Sequence, residues 1–309
     1  MLDLSVVIVT WNVWALALKA LGSLYADLAA SGLSFEVRVV DCASSDDTPA
    51  AIAEAFPQVN LTASSENLGF GRGNNTALRQ IGFGSPDADP AALPKAVYLL
   101  NPDTITQPGA TRALYDALFA TPKVGLVGAQ LTYEDGGFQH GAFGFPGLRQ
   151  LWVEFFPTPG RLIEGGFNGR YPRALYAAGQ PFPVDFVLGA TMMLRREVIQ
   201  QTGMFDERFF MYCEEIDWAW RIRKAGWQVM SVPAARVTHL AGKSTAQVRP
   251  QSVINLWTSR LHLYDKHHPR WKAWAARRLI AAGMARKLRR ESDPAVRAAY
   301  QRVRELALS

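Results

Sequence analysis

The feature that most constrains the fold is a regular alternation of short apolar runs with helical segments. Residues 4–9, 35–40 and 95–100 are rich in Val and Leu and contain few polar side chains. Continuous apolar strands of this kind are typical of parallel sheets that are covered on both faces. The segments between them show apolar residues at helical spacing. The pattern therefore predicts an α/β fold with a doubly wound, mostly parallel sheet.

Polar residues follow these predicted strands directly. Residues 10–12 follow the first strand, Asp41 ends the second, and residues 101–103 follow the third. Ligands of open α/β sheets bind beyond the carboxyl ends of the strands. The chain is therefore expected to bind its ligand at this edge of the sheet.

Composition narrows the classes of protein and partner. The 309 residues are 49% hydrophobic and 19% charged, which is enough to bury a core, and the net charge of +6 favours an anionic partner. Cys42 and Cys213 are too few for a disulfide framework, so a reducing compartment is expected. No signal peptide and no membrane-spanning stretch is seen. We therefore predict a cytoplasmic protein, peripheral at most on the inner face of the cell membrane.

Six sequence blocks occur in the order of a known family. They read VVIVTWN, VVDCASSDDT, ENLGFGRGNN, LLNPDT, GATMMLRREVIQQTGMFDERFFMYCEEIDWAWRIRKAGW and HLAGKST. Together they resemble glycosyltransferase family 2, in particular the rhamnosyltransferase-like branch that uses dTDP-activated sugars. The resemblance implies a GT-A fold and inverting, metal-dependent transfer. It favours L-rhamnose from dTDP-L-rhamnose, moved onto a saccharide or lipid-linked saccharide in cell-surface polysaccharide synthesis.

The resemblance also implies a division of the chain. Residues 1–248 would form the GT-A catalytic domain, with a nucleotide-sugar half of about 1–130 and an acceptor half of about 131–248. Residues 249–309 would form a basic, helical C-terminal extension.

A divalent cation, Mn²⁺ or Mg²⁺, is the implied cofactor. Asp103 matches the last acid of the family's metal motif, and Asn101 stands where the first acid is usual. His239 would complete the site, and an imidazole suits Mn²⁺ better than Mg²⁺. An ordinary Asn-Pro-Asp turn is the alternative for residues 101–103.

An acidic pair at a predicted helix, residues 209–224, supplies the candidate general base. Inverting transfer requires a carboxylate to accept the proton of the attacking hydroxyl. The resemblance assigns this role to Glu215, where Asp is usual, with Glu214 as the alternative. Asp217 and Trp218 are expected to shape the pocket, or Asp217 to pair with a nearby arginine.

The nucleotide site is expected to draw on two segments. Trp11 suits stacking on the base, with Thr10 and Asn12 beside it, and Asn12 is also a candidate helix cap. Asp41 suits the N3–H of thymine or uracil. A glycine-rich turn before a helix offers further polar groups for the diphosphate or base, namely Asn67, Gly69, Arg72 and Asn74.

The acceptor side of the pocket has weaker signals. Gly189 and Ala190 are expected to form a wall of small residues, and Ser244 to contact the diphosphate or acceptor. Gln139 is a further candidate for an acceptor contact.

The basic stretch 266–290 interleaves Trp271 and Trp274 with Lys and Arg. It is typical of a helix on an anionic membrane surface, and equally of a solvated helix packed on the catalytic domain. No nucleic-acid motif accompanies the charge, and a homodimer is left open.

Three alternatives stay open. A transferase of the same fold using a UDP- or GDP-sugar would share these residues. A nucleotidyltransferase would require a glycine-rich, basic loop directly after the first strand, where TWNVW stands. A non-catalytic saccharide-binding relative is compatible with the unusual Asn101 and Glu215.

Overall fold

The computed structural model describes residues 1–87, 89–240 and 249–309. The strands of these residues are β1 (Leu4–Thr10), β2 (Phe35–Asp41), β3 (Asn60–Ala63), β4 (Ala96–Leu100), β5 (Thr104–Thr106), β6 (Val124–Thr132), β7 (Phe138–Gln139), β8 (Ala142–Phe143), β9 (Phe182–Val184), β10 (Phe186–Val187), β11 (Thr191–Arg195) and β12 (Gln228–His239). The helices are α1 (Trp14–Ser31), α2 (Thr48–Ala55), α3 (Gly69–Ile81), α4 (Ala110–Phe119), α5 (Leu148–Phe155), α6 (Gly160–Ile163), α7 (Arg173–Ala177), α8 (Arg196–Thr202), α9 (Glu214–Lys224), α10 (Arg249–His267), α11 (Arg270–Leu288) and α12 (Pro294–Leu308).

The described residues form a ten-stranded central sheet whose main path is β3-β2-β1-β4-β11-β6-β12-β5. The strands β1, β2, β3 and β4 are mutually parallel, and β6 and β12 form a second parallel pair. Strand β11 runs antiparallel between β4 and β6 and joins the two parallel groups. The predicted α/β class with a doubly wound, mostly parallel sheet is confirmed.

The chain order reverses direction between β1 and β4. From β1 the chain moves outward to β2 and β3, and then returns to place β4 on the other side of β1. This is a topological switch point, where open α/β sheets leave a crevice at the carboxyl ends of their strands. The residues that follow β1 and β4 therefore border the same crevice.

Apolar side chains cover both faces of the sheet. On one face α1 and α4 pack against the strands through Leu21, Leu24 and Leu114, and on the other α3 and α9 pack through Leu78 and Trp218. A third cluster lies outside the sheet and joins α5 to α10, α11 and α12. The C-terminal helices therefore share a core with a helix from the middle of the chain.

One predicted helix cap and one predicted helix start are wrong. Asn12 does not cap α1: the residue before the helix is Val13, and Asn12 has a φ of 52°. Helix α9 begins at Glu214 rather than near residue 209, because Tyr212 and Cys213 have left-handed φ values of 70° and 67°. A left-handed residue cannot continue a right-handed helix.

The glycine-rich segment was expected to form a turn, but most of it is helical. Helix α3 begins at Gly69 and includes Arg72 and Asn74. A Cβ at Gly73 would lie 2.8 Å from Cγ1 of Val9, so the glycine allows the helix to lie directly against β1. Close packing on the sheet outweighs the poor helix propensity of glycine here.

Candidate functional site

A cavity of about 450 Å³ opens at the switch point of the sheet. The polar residues that follow β1 and β4 line its floor, and residues from α9, β12 and α10 complete its walls. Of the residues predicted from sequence, it is lined by Thr10, Trp11, Asn67, Gly69, Asn101, Asp103, Gly189, Ala190, Glu214, Glu215 and His239. Residues that lie more than two hundred positions apart, such as Thr10 and His239, therefore meet in one site.

Asp103 and His239 form a buried pair at one end of the cavity. The pairing of β12 with β5 places His239 opposite Thr104, and its Nε2 lies 3.5 Å from Oδ1 of Asp103. The two residues are only 4% and 8% exposed. Oδ1 of Asp103 and Oδ1 of Asn101 are buried without a hydrogen-bond partner. Buried oxygens of this kind are normally paired, so a ligand with positive charge fits here.

The protein alone offers few ligands to such a cation. Within residues 1–87, 89–240 and 249–309, no cluster of three or more His, Cys, Asp or Glu side chains is found. Asp103 and His239 can supply one oxygen and one nitrogen. The remaining coordination positions would be available to oxygen atoms of a bound diphosphate and to water.

The acidic pair lies at the amino end of α9. Glu214 and Glu215 are 5% and 9% exposed, and both line the cavity. Burial raises the pKa of Glu215 to about 7. Burial, and then the charge of Glu215, raise the pKa of Glu214 well above its usual range. Glu215 is therefore partly ionised near neutral pH, which suits a carboxylate that accepts a proton.

Asp217 and Trp218 do not line the cavity. Asp217 is fully buried and accepts bonds from Lys266 at 2.6 Å, His267 at 2.7 Å and Arg221 at 2.9 Å. Burial opposes its ionisation, but the bonds from His267 and Lys266 lower the pKa of Asp217 to about 2. Trp218 is a fully buried core residue. The arginine pairing predicted for Asp217 is present within α9, and the bonds from Lys266 and His267 tie α9 to α10.

Asp41 and Asn12 lie beside the cavity rather than on its surface. Asp41 is 1% exposed, and its carboxylate accepts bonds from Oγ1 of Thr10 at 2.9 Å and from the Oγ and backbone N of Ser44 at 2.6 and 2.9 Å. Oδ1 of Asn12 accepts a bond from the backbone N of Ser45 at 2.7 Å. These contacts hold the loops that follow β1 and β2 together.

Arg72 and Asn74 are also outside the cavity. Arg72 is paired with Glu66 at 2.9 Å, and Nδ2 of Asn74 donates to the backbone O of Phe70 within α3. Gly69, in contrast, is required where it stands: its φ is +70°, and a Cβ there would collide with the backbone O of Phe210. Glycine is the residue that tolerates both constraints.

The structure adds residues that sequence reasoning missed. Gln251, Ser252 and Asn255 of α10 line the cavity, so the C-terminal extension contributes to its wall. Their spacing places them on one face of a helix, but nothing in the sequence indicated what that face meets. Gln139 was expected near the acceptor and instead contacts His239. Ser244 lies outside the described residues.

Comparison with protein families gives a match over most of the chain. A family model described as "Glycosyltransferase like family 2" matches residues 3–271. A protein of Mycobacterium tuberculosis named N-acetylglucosaminyl-diphospho-decaprenol L-rhamnosyltransferase is 31% identical over 262 residues, which covers 79% of this chain and 80% of the relative. A hexosyltransferase of low-salt glycan biosynthesis from Haloferax volcanii is 26% identical over 223 residues. This match covers 72% of this chain and 62% of the relative.

Two solved structures share the fold. A mannosyltransferase from Pyrobaculum calidifontis, in complex with GDP-Man and Mn²⁺, has a TM-score of 0.56 at 20% identity and covers 100% of this chain and 81% of its own. GalNAc-T7, with UDP, GalNAc and Mn²⁺, has a TM-score of 0.61 at 13% identity and covers 100% of this chain and 56% of its own. At these identities the likeness concerns the fold, which confirms the expected GT-A architecture.

Proposed function

Because the chain belongs to glycosyltransferase family 2, we propose that it transfers L-rhamnose from dTDP-L-rhamnose onto a lipid-linked saccharide, with inversion at the anomeric carbon. The observation that carries the proposal is one cavity that holds a buried glutamate pair together with the Asp103–His239 pair. The donor and the acceptor class follow the rhamnosyltransferase of M. tuberculosis. The reaction would serve the synthesis of a cell-surface polysaccharide.

Glu215 is the proposed general base. The acceptor hydroxyl attacks the anomeric carbon and gives its proton to the Glu215 carboxylate, while the bond from that carbon to the diphosphate breaks and dTDP leaves. The raised pKa of Glu215 near 7 matches this task. Burial, and then the charge of Glu215, raise the pKa of Glu214 well above its usual range, and we do not assign it the role of base.

Asp103 and His239 would hold a divalent cation. Their oxygen and nitrogen atoms fit Mn²⁺ or Mg²⁺, and the unpartnered Oδ1 of Asp103 supports this assignment. When bound, such a cation neutralises the negative charge that develops on the departing diphosphate. Asn101 supplies a neutral oxygen beside this pair, so the site carries one negative charge fewer than a two-acid motif.

Trp11 and Asp41 are the proposed contacts of the nucleobase. Trp11 lines the cavity at the end of β1, where its ring is available for stacking. The Asp41 carboxylate has four acceptor positions and uses three of them for Thr10 and Ser44, so one remains for the N3–H of thymine.

A donor panel tests this proposal. The full chain would be incubated with a polyprenyl-diphosphate GlcNAc acceptor and dTDP-rhamnose, UDP-sugars or GDP-sugars, with Mn²⁺ or with a chelator. We expect rhamnosylated product with dTDP-rhamnose and Mn²⁺, and its loss with the chelator. Product from another donor would support glycosyl transfer but contradict L-rhamnose as the transferred sugar. Binding of saccharide without product from any donor would instead favour a non-catalytic relative.

We also propose that the enzyme meets its lipid-linked acceptor at an anionic membrane surface. No helix within the described ranges combines the length and hydropathy needed to cross a membrane. Residues 266–290 carry nine Lys and Arg residues and no Asp or Glu. The positive charge of this segment therefore exceeds the net charge of +6 of the whole chain. On α11, Trp271 and Trp274 are 66% and 60% exposed. Exposed tryptophan beside basic residues is typical of helices that lie in the lipid headgroup region.

Three of these side chains share one side of α11, which we call the Trp–Arg face: Trp271, Trp274 and Arg278. Arg278 lies 5.5 Å over the ring of Trp274. The opposite side of the helix, with Ala276 and Ile280, is buried in the third core cluster. The Trp–Arg face is therefore free to point away from the protein.

The double substitution Trp271→Ala and Trp274→Ala is expected to weaken binding to vesicles of anionic lipid by about tenfold or more, because apolar ring surface no longer enters the headgroup region. Vesicle co-sedimentation measures this. Trp14→Ala, at a 49% exposed tryptophan of α1, is the matched control and should bind as the wild type does. Equal binding by the double variant would refute the role of this face.

A further inference from the structure

Gln139 lies directly behind the ring of His239. Strand β7 pairs with β6, and β6 pairs with β12, so the sheet brings Gln139 to the histidine across one intervening strand. Nε2 of Gln139 is 3.2 Å from Nδ1 of His239. Both side chains are 8% exposed. The two ring nitrogens therefore have different neighbours: Nδ1 faces Gln139, and Nε2 faces Asp103.

A ring nitrogen can bind a cation only through its lone pair. If Nε2 takes a cation beside Asp103, the proton of the neutral ring must stand on Nδ1, where it needs an acceptor. Gln139 is the contact that can provide one. Its Oε1 is buried and without a hydrogen-bond partner, and the two ends of an amide are interchanged by a half-turn of the group.

We propose that Gln139 is a positioning residue that holds His239 for cation binding. With its Nε2 toward Nδ1, the amide supports the ring form whose Nε2–H faces Asp103. With its Oε1 toward Nδ1–H, it supports the form whose Nε2 lone pair faces the cation. The amide group can donate a hydrogen bond to Nδ1 in one tautomer of His239 and accept one from Nδ1–H in the other. An apolar side chain can do neither, and a group that only donates can do only the first. The inference rests on the cation site of the proposed function.

Replacement of Gln139 tests the inference. Gln139→Met keeps the length of the side chain and removes its hydrogen bond, and it is expected to weaken Mn²⁺ binding about 10- to 100-fold in the presence of dTDP. Gln139→Glu keeps an acceptor for Nδ1–H and should restore most of the affinity. Gln130→Met, at a half-buried glutamine of β6, is the matched control. The signal of free Mn²⁺ in electron paramagnetic resonance measures the affinity without turnover.

The wild-type protein offers a second readout that needs no variant. Long-range ¹⁵N–¹H spectra of His239, recorded with dTDP and the diamagnetic Mg²⁺, should show the proton on Nδ1. Without the cation they should show it on Nε2. A proton on Nε2 in both states, or unchanged Mn²⁺ affinity in Gln139→Met, would overturn the inference alone. Failure of the wild type to bind any divalent cation would overturn the proposed cation site as well.

Discussion

Glu215→Gln is expected to lower kcat by about 10²- to 10⁴-fold, because glutamine cannot accept the proton of the attacking hydroxyl. The two side chains have the same shape, so donor binding should change little. Steady-state transfer with dTDP-rhamnose measures the effect. The matched variant Glu214→Gln should lose less than about tenfold, because it leaves the proposed base, Glu215, in place. The reverse order would move the base assignment to Glu214.

The same substitution should stabilise the fold at alkaline pH. Burial raises the pKa of Glu215 from 4.5 to about 7, so its contribution to stability is fully present below about pH 4.5 and is lost as the pH rises through about 7. The glutamine of the variant does not ionise, so we expect the variant to unfold later than the wild type at about pH 8, by up to about 3 kcal/mol. Near pH 4.5 the two proteins should unfold alike. A variant that is inactive and also destabilised at both pH values would indicate structural damage instead.

Asp217→Asn is expected to destabilise the protein by about 3–5 kcal/mol. The substitution removes the charge that compensates Lys266 and Arg221 where α10 meets α9. Urea unfolding measures the loss. Asp116→Asn, in the exposed i,i+4 pair with Arg112, is the matched control and should cost about 0.5 kcal/mol or less. Equal effects of the two substitutions would show that the buried cluster stabilises no more than a surface pair.

The stability of the fold at acidic pH should depend on the same Asp217 cluster. The pKa of Asp217 is lowered from 3.8 to about 2. The contribution of this carboxylate to the free energy of unfolding is therefore present above about pH 3.8 and is lost as the pH falls through about 2. The wild type should therefore lose stability over this acidic range, and Asp217→Asn should show a smaller dependence there.

The sequence predicted the parts of this protein that depend on local patterns. The apolar strands and the polar residues after them identified the sheet and its binding edge, since burial on both faces leaves a clear signature. Asp103, His239 and the glutamate pair came from motif resemblance, and the structure brings them into one cavity. Their roles stay predictions that the experiments above address.

Features that depend on distant contacts were not predictable. Asp41 follows β2 as expected, but its carboxylate is largely used by Thr10 and Ser44, which only the register of β1 and β2 reveals. Arg72 and Asn74 lie in α3 rather than in the predicted turn, because Gly73 lets this glycine-rich segment pack as a helix directly against Val9 of β1. Gln139 gave no signal of its contact with His239, because that partner lies 100 residues away.

The third core cluster has a consequence for how the protein is made. Phe155 of α5 stacks on Trp257 of α10, and Leu151 and Phe155 share the cluster with Ile280 of α11. Helix α5 therefore leaves the ribosome about a hundred residues before the first of these partners. The sheet can form during synthesis, whereas the apolar side of α5 stays exposed to solvent until the C-terminal helices have been synthesised. Chains that stop early would therefore be expected to aggregate or to require a chaperone, rather than to persist as folded but inactive protein.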